Sequence, residues 1–295
     1  MEQNPLVEIG LPIALFVIMV GIGLTLTTAD FRREARTPRG AVVGSAAQLL
    51  VMPALGFAIA ALLGLPPALA VGLVIVAACP GGTSSNLVSF LAKANVALSI
   101  VLTVVASVVT IVTLPMFANL ALRWWPVGDD VAVSVPLART IGLLVGIVLV
   151  PVVLGMAVRR RAPQRAAAME RAVSAFGGFI LVALIVGIAI SLRDEFFTLL
   201  ADAGPAALLL NLLGLAVGWA ASRAGGLSDR DGLTVAVELG IKNSTLGILI
   251  AVTVMGSEAI AVPSAVYGLL MYLSAAVLVV VGRRAAGMRI EPAAP

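Results

Sequence analysis

Nine stretches of about 20 or more apolar residues follow one another with short interruptions, and no other feature limits so tightly what this chain can fold into. At a rise of about 1.5 Å per residue, each stretch wound as a helix crosses a hydrocarbon core of about 30 Å. No water is available there, so backbone N–H and C=O groups must bond within the segment, which selects helices. The stretches fall at roughly 6–28, 40–63, 68–92, 95–121, 136–158, 172–192, 204–224, 231–256 and 262–282. Between them lie ordinary turn sequences such as Gly64-Leu65-Pro66-Pro67, Trp125-Pro126-Val127-Gly128-Asp129-Asp130 and Gly225-Gly226-Leu227-Ser228-Asp229. The expected fold class is an all-α polytopic membrane protein with nine transmembrane helices.

Composition agrees with a lipid solvent: 61% of the 295 residues are hydrophobic and 12% charged, with mean hydropathy +1.12. A soluble domain carries about a quarter charged residues. The net charge of +4 resides in short loops, where it sets topology. Arg32, Arg33, Arg36, Arg39, Lys93, Arg159, Arg160, Arg161, Arg165, Arg171, Arg223, Arg230, Arg283, Arg284 and Arg289 share one side, against Arg123, Arg139 and Arg193 on the other. The positive-inside rule then places the N-terminus outside and the C-terminus in the cytoplasm. The N-terminal run, with Glu2 and Glu8 but no nearby cation, reads as a retained first span and not a signal peptide. One cysteine, Cys79, leaves no internal disulfide, and the lack of histidine removes the commonest metal ligand and general base. Nothing suggests nucleic-acid binding or an organic cofactor.

Two spans are interrupted. The third breaks at Cys79-Pro80-Gly81-Gly82-Thr83-Ser84-Ser85-Asn86 and the eighth at Glu238-Leu239-Gly240-Ile241-Lys242-Asn243-Ser244-Thr245. Counted from the span starts, both breaks lie roughly 16–18 Å deep, near the midplane. Non-helical backbone survives there only when protein or a wet cavity surrounds it, so each break is read as part of a site. The two spans are five apart and run through the membrane in opposite directions. Spans one to four would match six to nine as an inverted repeat, the arrangement of transporters that bind substrate at discontinuous helices.

The polar residues within the spans narrow the chemistry. Glu238 is the one carboxylate deep in a span, and such a group costs several kcal/mol unless paired or wet. A static pair with Lys242, four residues on, is the structural alternative, although Gly240 between them makes a continuous helix doubtful. Hard cations prefer oxygen ligands. Ser99, Thr103, Ser107 and Thr110 form one polar stripe on the fourth span. Some of these hydroxyls would bond their own backbone carbonyls, with Ser99 and Thr103 the exceptions that face Ser85 and Asn86. Gln48 reads equally as interhelical glue or as an ion ligand.

The string from Cys79 to Asn86, then Asn95-Val96-Ala97-Leu98-Ser99, then Glu238-Leu239-Gly240-Ile241-Lys242-Asn243-Ser244, resembles the bile acid:sodium symporter family over almost the whole chain. The resemblance implies two crossing discontinuous helices in a core domain that works against a panel domain. Here residues 1–39 would supply panel helix 1, 40–126 the first half of the core, 127–200 panel helices 5 and 6, and 201–295 the second half of the core. Bacterial members often have ten spans, so this chain would lack the first. Carried over by motif, one sodium site would use Ser85, Asn86, Ser99, Thr103 and Glu238. The second would use Gln48, Glu238 and the carbonyls of Leu239 and Ile241, with an amide where this chain has Lys242. An ammonium offers no acceptor and repels a cation, so Lys242 would replace that ion.

The implied activity is sodium-coupled symport of a small organic anion, bile acid-like or a carboxylate such as pantoate or a keto acid. Half-helix N-termini at the breaks favour a carboxylate, with Thr83, Ser84, Asn86, Asn243 and Ser244 as candidate contacts. Thr83 and Ser84 also read as simple helix caps. Proton-coupled or sodium-independent anion transport is the alternative that Lys242 raises. A metalloid exporter of the arsenite type would rest on Cys79 alone, a membrane sensor stays open, and an intramembrane hydrolase lacks both histidine and an aspartate pair.

Overall fold

The computed structural model describes residues 10–25, 27, 36, 38–127, 135–191, 193–194 and 196–287. The sequence expectations that involve Glu2, Glu8, Arg32, Arg33, Asp129, Asp130 and Arg289 lie outside these residues. Among the described residues, regular structure is helical apart from one isolated bridge. Eleven helical pieces follow in order: α1 (Gly10–Thr25), α2 (Arg39–Leu62), α3 (Pro67–Ala78), α4 (Thr83–Leu91), α5 (Val96–Trp124), α6 (Leu137–Arg161), α7 (Pro163–Ser191), α8 (Phe196–Ala224), α9 (Asp229–Gly240), α10 (Ser244–Val254) and α11 (Glu258–Gly287).

Six of these helices, α2, α5, α6, α7, α8 and α11, are long and apolar enough to cross a membrane, and three shorter apolar stretches lie in α1, α3 and α10. Continuous membrane-length helices therefore number six among the described residues, not nine. The third and eighth segments are each split in two, as their polar breaks require. Helix α8 begins at Phe196 and runs through Pro205, so it starts ahead of the apolar stretch expected from 204. A proline costs a helix one N–H, which neighbouring helices in a membrane protein tolerate. Helix α7 likewise starts at Pro163, well before the apolar run, because proline suits the first helical turn.

Wide π-helical turns interrupt α2 at Ala47–Val51 and α6 at Val145–Leu149. Each lies directly upstream of a proline, Pro53 or Pro151. The proline ring clashes with the carbonyl four residues earlier and offers it no donor, and a widened turn relieves both faults. Gln48 sits on the first of these turns.

The broken helices occupy the centre. Every residue from Leu69 to Ala78 of α3 is buried, as are Thr234 to Gly240 of α9, whereas α7 exposes Phe176, Phe179, Val182, Val186 and Ile190. A helix apolar all round belongs inside a bundle and a one-sided helix at its periphery. Helix α1 packs chiefly on α6 and α7, while α3 packs on α2, α5 and α11, and α8 on α9 and α11. Gly23 and Gly155 make the α1–α6 contact possible: a Cβ on either would overlap the other helix's backbone. We expect Gly155→Val to cost about 1–3 kcal/mol through that overlap, measured as a lowered melting temperature in detergent. Gly142→Val on the same helix, with open space around it, should not lower it.

Candidate functional site

Local chemistry explains why the first broken helix stops where it does. Cys79 precedes a proline, which disfavours helical backbone, and it is extended at φ −63° and ψ 149°. Gly81 and Gly82 then carry the chain to α4, whose N-cap Gly82 is also extended. In the second break Ile241 is extended and Asn243 caps α10, its Oδ1 accepting from Leu246 N–H at 3.1 Å. No side-chain bond from Thr83 or Ser84 caps α4. The capping expected of these two residues is absent because the extended Gly82, which has no side-chain acceptor, occupies the cap position.

The two breaks satisfy one another. Asn243 N–H donates to Pro80 O at 2.8 Å, Gly81 and Lys242 form an antiparallel bridge, and Lys242 Nζ donates to Cys79 O at 3.1 Å. This pairing brings Glu238, near the end of α9, onto the start of α4. A Cβ at Gly81 would overlap the Glu238 carboxylate, so the close approach requires glycine.

Around the carboxylate stand four of the oxygen-bearing residues expected from the sequence. Thr103 Oγ1 donates to Glu238 Oε1 at 2.6 Å and Ser99 Oγ to Glu238 Oε2 at 3.2 Å. The same two hydroxyls lie 3.4 and 2.9 Å from Asn86 Oδ1, and Ser85 Oγ is 3.4 Å from Thr103 Oγ1. All five residues are buried. Ser85 spends its own proton on Gly82 O at 2.7 Å. Two hydroxyl protons therefore face three oxygens of Asn86 and Glu238, which leaves an excess of lone pairs. The cluster is rich in oxygen acceptors and bears one carboxylate, the donor chemistry that hard cations prefer, and Asn86 Nδ2 is buried beside it without a partner. Ser107 and Thr110 donate to the carbonyls of Thr103 and Ser107, the self-satisfying role expected of part of the stripe.

The second proposed cation set is arranged differently. Gln48 is buried, and neither polar atom of its side chain has a partner. Lys242 is 1% exposed and bonds the Cys79 carbonyl. The ion pairs among the described residues are Arg193–Asp194 and Arg223–Asp229, so Glu238 and Lys242 do not form the static pair that their spacing allowed. Between them Gly240 ends α9 and Ile241 is extended, which takes the two side chains off a common helical face. Leu239 and Ile241 are buried, but the carbonyl that draws side chains is Gly240 O, which accepts from Asn211 Nδ2 at 2.8 Å and Tyr267 OH at 2.9 Å. Sequence reasoning missed Asn211 and Tyr267. Asn211, a lone amide in the Leu-rich α8, carried the same signal as Gln48.

Thr83, Ser84, Asn243 and Ser244 line a small cavity of about 30 Å³ together with Lys242, between the breaks and Ile18, Gly177 and Leu181 of α1 and α7. Asn243 Nδ2 and Ser244 Oγ are buried without partners, and Ser84 Oγ lies 3.2 Å from Tyr272 OH. The volume holds about one water molecule. Asn86, expected in both sets, belongs to the carboxylate cluster.

Residues 12–198 match the family model described as the sodium bile acid symporter family. Among curated proteins, the chain is 33% identical over 277 residues to the probable sodium/metabolite cotransporter BASS2, chloroplastic, of Oryza sativa, covering 92% of this chain and 63% of that protein. It is 31% identical to the probable sodium/metabolite cotransporter BASS1, chloroplastic, of Arabidopsis thaliana, covering 95% and 68%. It is also 32% identical to the uncharacterized sodium-dependent transporter YocS of Bacillus subtilis, covering 90% and 80%. The chain thus spans less than two thirds of the rice protein's length.

Two adjacent glycines test the geometry around the carboxylate. Gly81→Ala must displace Glu238 and is expected to cost about 1–3 kcal/mol. Gly82→Ala, whose new Cβ would meet nothing closer than 3.7 Å, should cost clearly less. Melting temperatures of the two purified variants give the comparison.

Proposed function

The chain belongs to the sodium bile acid symporter family, and on that premise we propose that it is a secondary active transporter that carries a small organic anion into the cell together with sodium. The family's named members are transporters, not enzymes. The observation that carries the proposal is the buried cluster of Ser85, Asn86, Ser99, Thr103 and Glu238, with more lone pairs than protons. In this reading sodium occupies that cluster and supplies the positive charge that the hydroxyls cannot. The anion, a carboxylate of the bile acid or keto acid kind, binds where Thr83, Ser84, Asn243 and Ser244 line the small cavity. Helices α4 and α10 begin there and direct their N-terminal N–H groups inward.

Alternating access follows if α1, α6 and α7 act as a panel against a core of α2–α5 and α8–α11. The packing of α1 on α6 and α7 supports this division, and the antiparallel contact of the two breaks supports an inverted repeat of nine membrane segments. The cation bias puts Lys93, Arg230 and Arg283 on the cytoplasmic side of a bacterial cell membrane. The 30 Å³ cavity is too small for an organic anion, so the panel must move to admit one.

Lys242 takes the place of a second sodium as a tethered cation. Its full burial and its bond to Cys79 O argue against snorkelling to the surface. A carboxylate with two sodium ions sums to plus one, and Glu238, one sodium and the Lys242 ammonium give the same sum. A monovalent anion neutralises either arrangement, but here only one ion travels with it.

Two measurements test the proposal. Glu238→Gln, Asn86→Ala and Thr103→Ala should each insert normally and lose sodium-dependent thermal stabilisation, since only a native state that binds the ion gains from it. A normal sodium response in all three would refute the site. With reconstituted protein and a transported monovalent anion, wild-type uptake should be electroneutral, and Lys242→Gln should add a sodium-dependent inward current with steeper sodium dependence. A sodium-dependent current already present in the wild type rules out the tethered cation.

A further inference from the structure

Away from the midplane, the two broken helices meet again at the cation-rich end of the bundle. The end of α4, the start of α9 and the end of α11 enclose a groove of about 570 Å³ lined by Phe90, Lys93, Arg230, Leu233, Ala285 and Ala286, among others. From this groove and its surroundings we propose a binding site for one anionic phospholipid, with its phosphate on Lys93 and Arg230 and an acyl chain along Phe90 and Leu87.

Charge complementarity selects the occupant. Lys93 and Arg230 bring two positive charges, and the acid in the lining, Asp229, is engaged by Arg223 at 2.5 Å. Arg283 adds a third cation beside the groove, its Nε donating to Leu91 O at 3.0 Å. Arg230 reaches Ala94 O at 3.4 Å. The neighbouring groove, of about 750 Å³ around Arg39 and Asp231, carries one charge of each sign and lacks this excess. Arginine and lysine together suit a phosphate, which accepts several charge-assisted hydrogen bonds. The remaining lining is largely apolar, and Phe90 and Leu87 are 60% and 50% exposed on α4, one turn apart toward the midplane. A soluble anion has no use for that strip, whereas an acyl chain does.

The backbone at Lys93 supplies an independent argument. Lys93 has φ +60°, the one positive φ among the described non-glycine residues. Ala94 N–H donates back to Ser89 O and Lys93 N–H to Phe90 O, a helix end that ordinarily employs glycine. A lysine there carries backbone strain that glycine would not. In exchange the chain gains an exposed ammonium, 5.9 Å from the Phe90 ring centre, at the mouth of the groove. A lipid so placed joins the outer ends of α4 and α9, the halves of the two broken helices that carry Asn86 and Glu238.

Thermal unfolding of the purified full-length chain in detergent tests the site. Phosphatidylglycerol should raise the melting temperature more than phosphatidylcholine does, and inorganic phosphate alone should not. Lys93→Gly should match or exceed the wild type without added lipid, because glycine suits φ +60°, and should reduce the phosphatidylglycerol-specific shift. Adding Arg230→Gln should bring the loss to about half of the shift or more, while Arg159→Gln, a cation at the end of α6, should leave it intact. The proposal is overturned if Lys93→Gly and the double variant keep the full lipid-specific shift, if phosphate alone reproduces it, or if Arg159→Gln removes as much. Should the double variant not be recovered, Lys93→Gly alone decides.

Discussion

The pairing of the two helix breaks is the constraint from which the rest of the structure follows. A break at the membrane midplane leaves backbone groups without partners, and each unmet group there costs several kcal/mol. The chain meets this demand by pairing the breaks with each other, through Asn243 N–H on Pro80 O and the bridge between Gly81 and Lys242. Neither break is stable alone, so α3, α4, α9 and α10 must assemble together. That assembly buries α3 on all sides and leaves the remaining helices to enclose it.

The same pairing creates the electrostatic problem that defines the site. It brings a carboxylate to the bundle centre at the C-terminal end of α9, where the helix dipole disfavours negative charge. Two hydroxyls of α5, those of Ser99 and Thr103, offset part of the cost. The remaining lone pairs of Asn86 and Glu238 suit a cation, and the nearby ammonium of Lys242 bonds a backbone carbonyl instead of the carboxylate. Asn211 and Tyr267 hold the Gly240 carbonyl from behind, which fixes the end of α9 and with it the Glu238 side chain.

At the other ends of these helices the contacts are polar and outward. Asn95 caps α5 and also donates to Asp231 at 2.8 Å, and its backbone N–H donates to Thr234 Oγ1 at 2.8 Å. The α4–α5 turn is thus tied to α9 far from the midplane, so the crossing helices are anchored at two levels. Two anchors hold a pair of helices as a rigid unit more firmly than one, as the proposed movement of α1, α6 and α7 against the remainder requires.

What the sequence determined by itself is what lipid imposes locally. Apolar length, loop punctuation and two polar interruptions located the helices, the breaks and the residues Ser85, Asn86, Ser99, Thr103 and Glu238, because a polar group in hydrocarbon is conspicuous and must have a partner. Helix starts at Pro163 and Phe196 were less legible, since proline fits a first turn and is tolerated inside a packed helix. Only the tertiary structure decided which partner each polar group takes. Spacing allowed Lys242 to pair with Glu238, but Lys242 bonds Cys79, and Thr83 and Ser84 do not cap α4. Asn211 and Tyr267 came into view only as donors to Gly240. The reason is distance along the chain: these bonds join segments from 27 to 163 residues apart, and helical periodicity carries no information beyond a few turns.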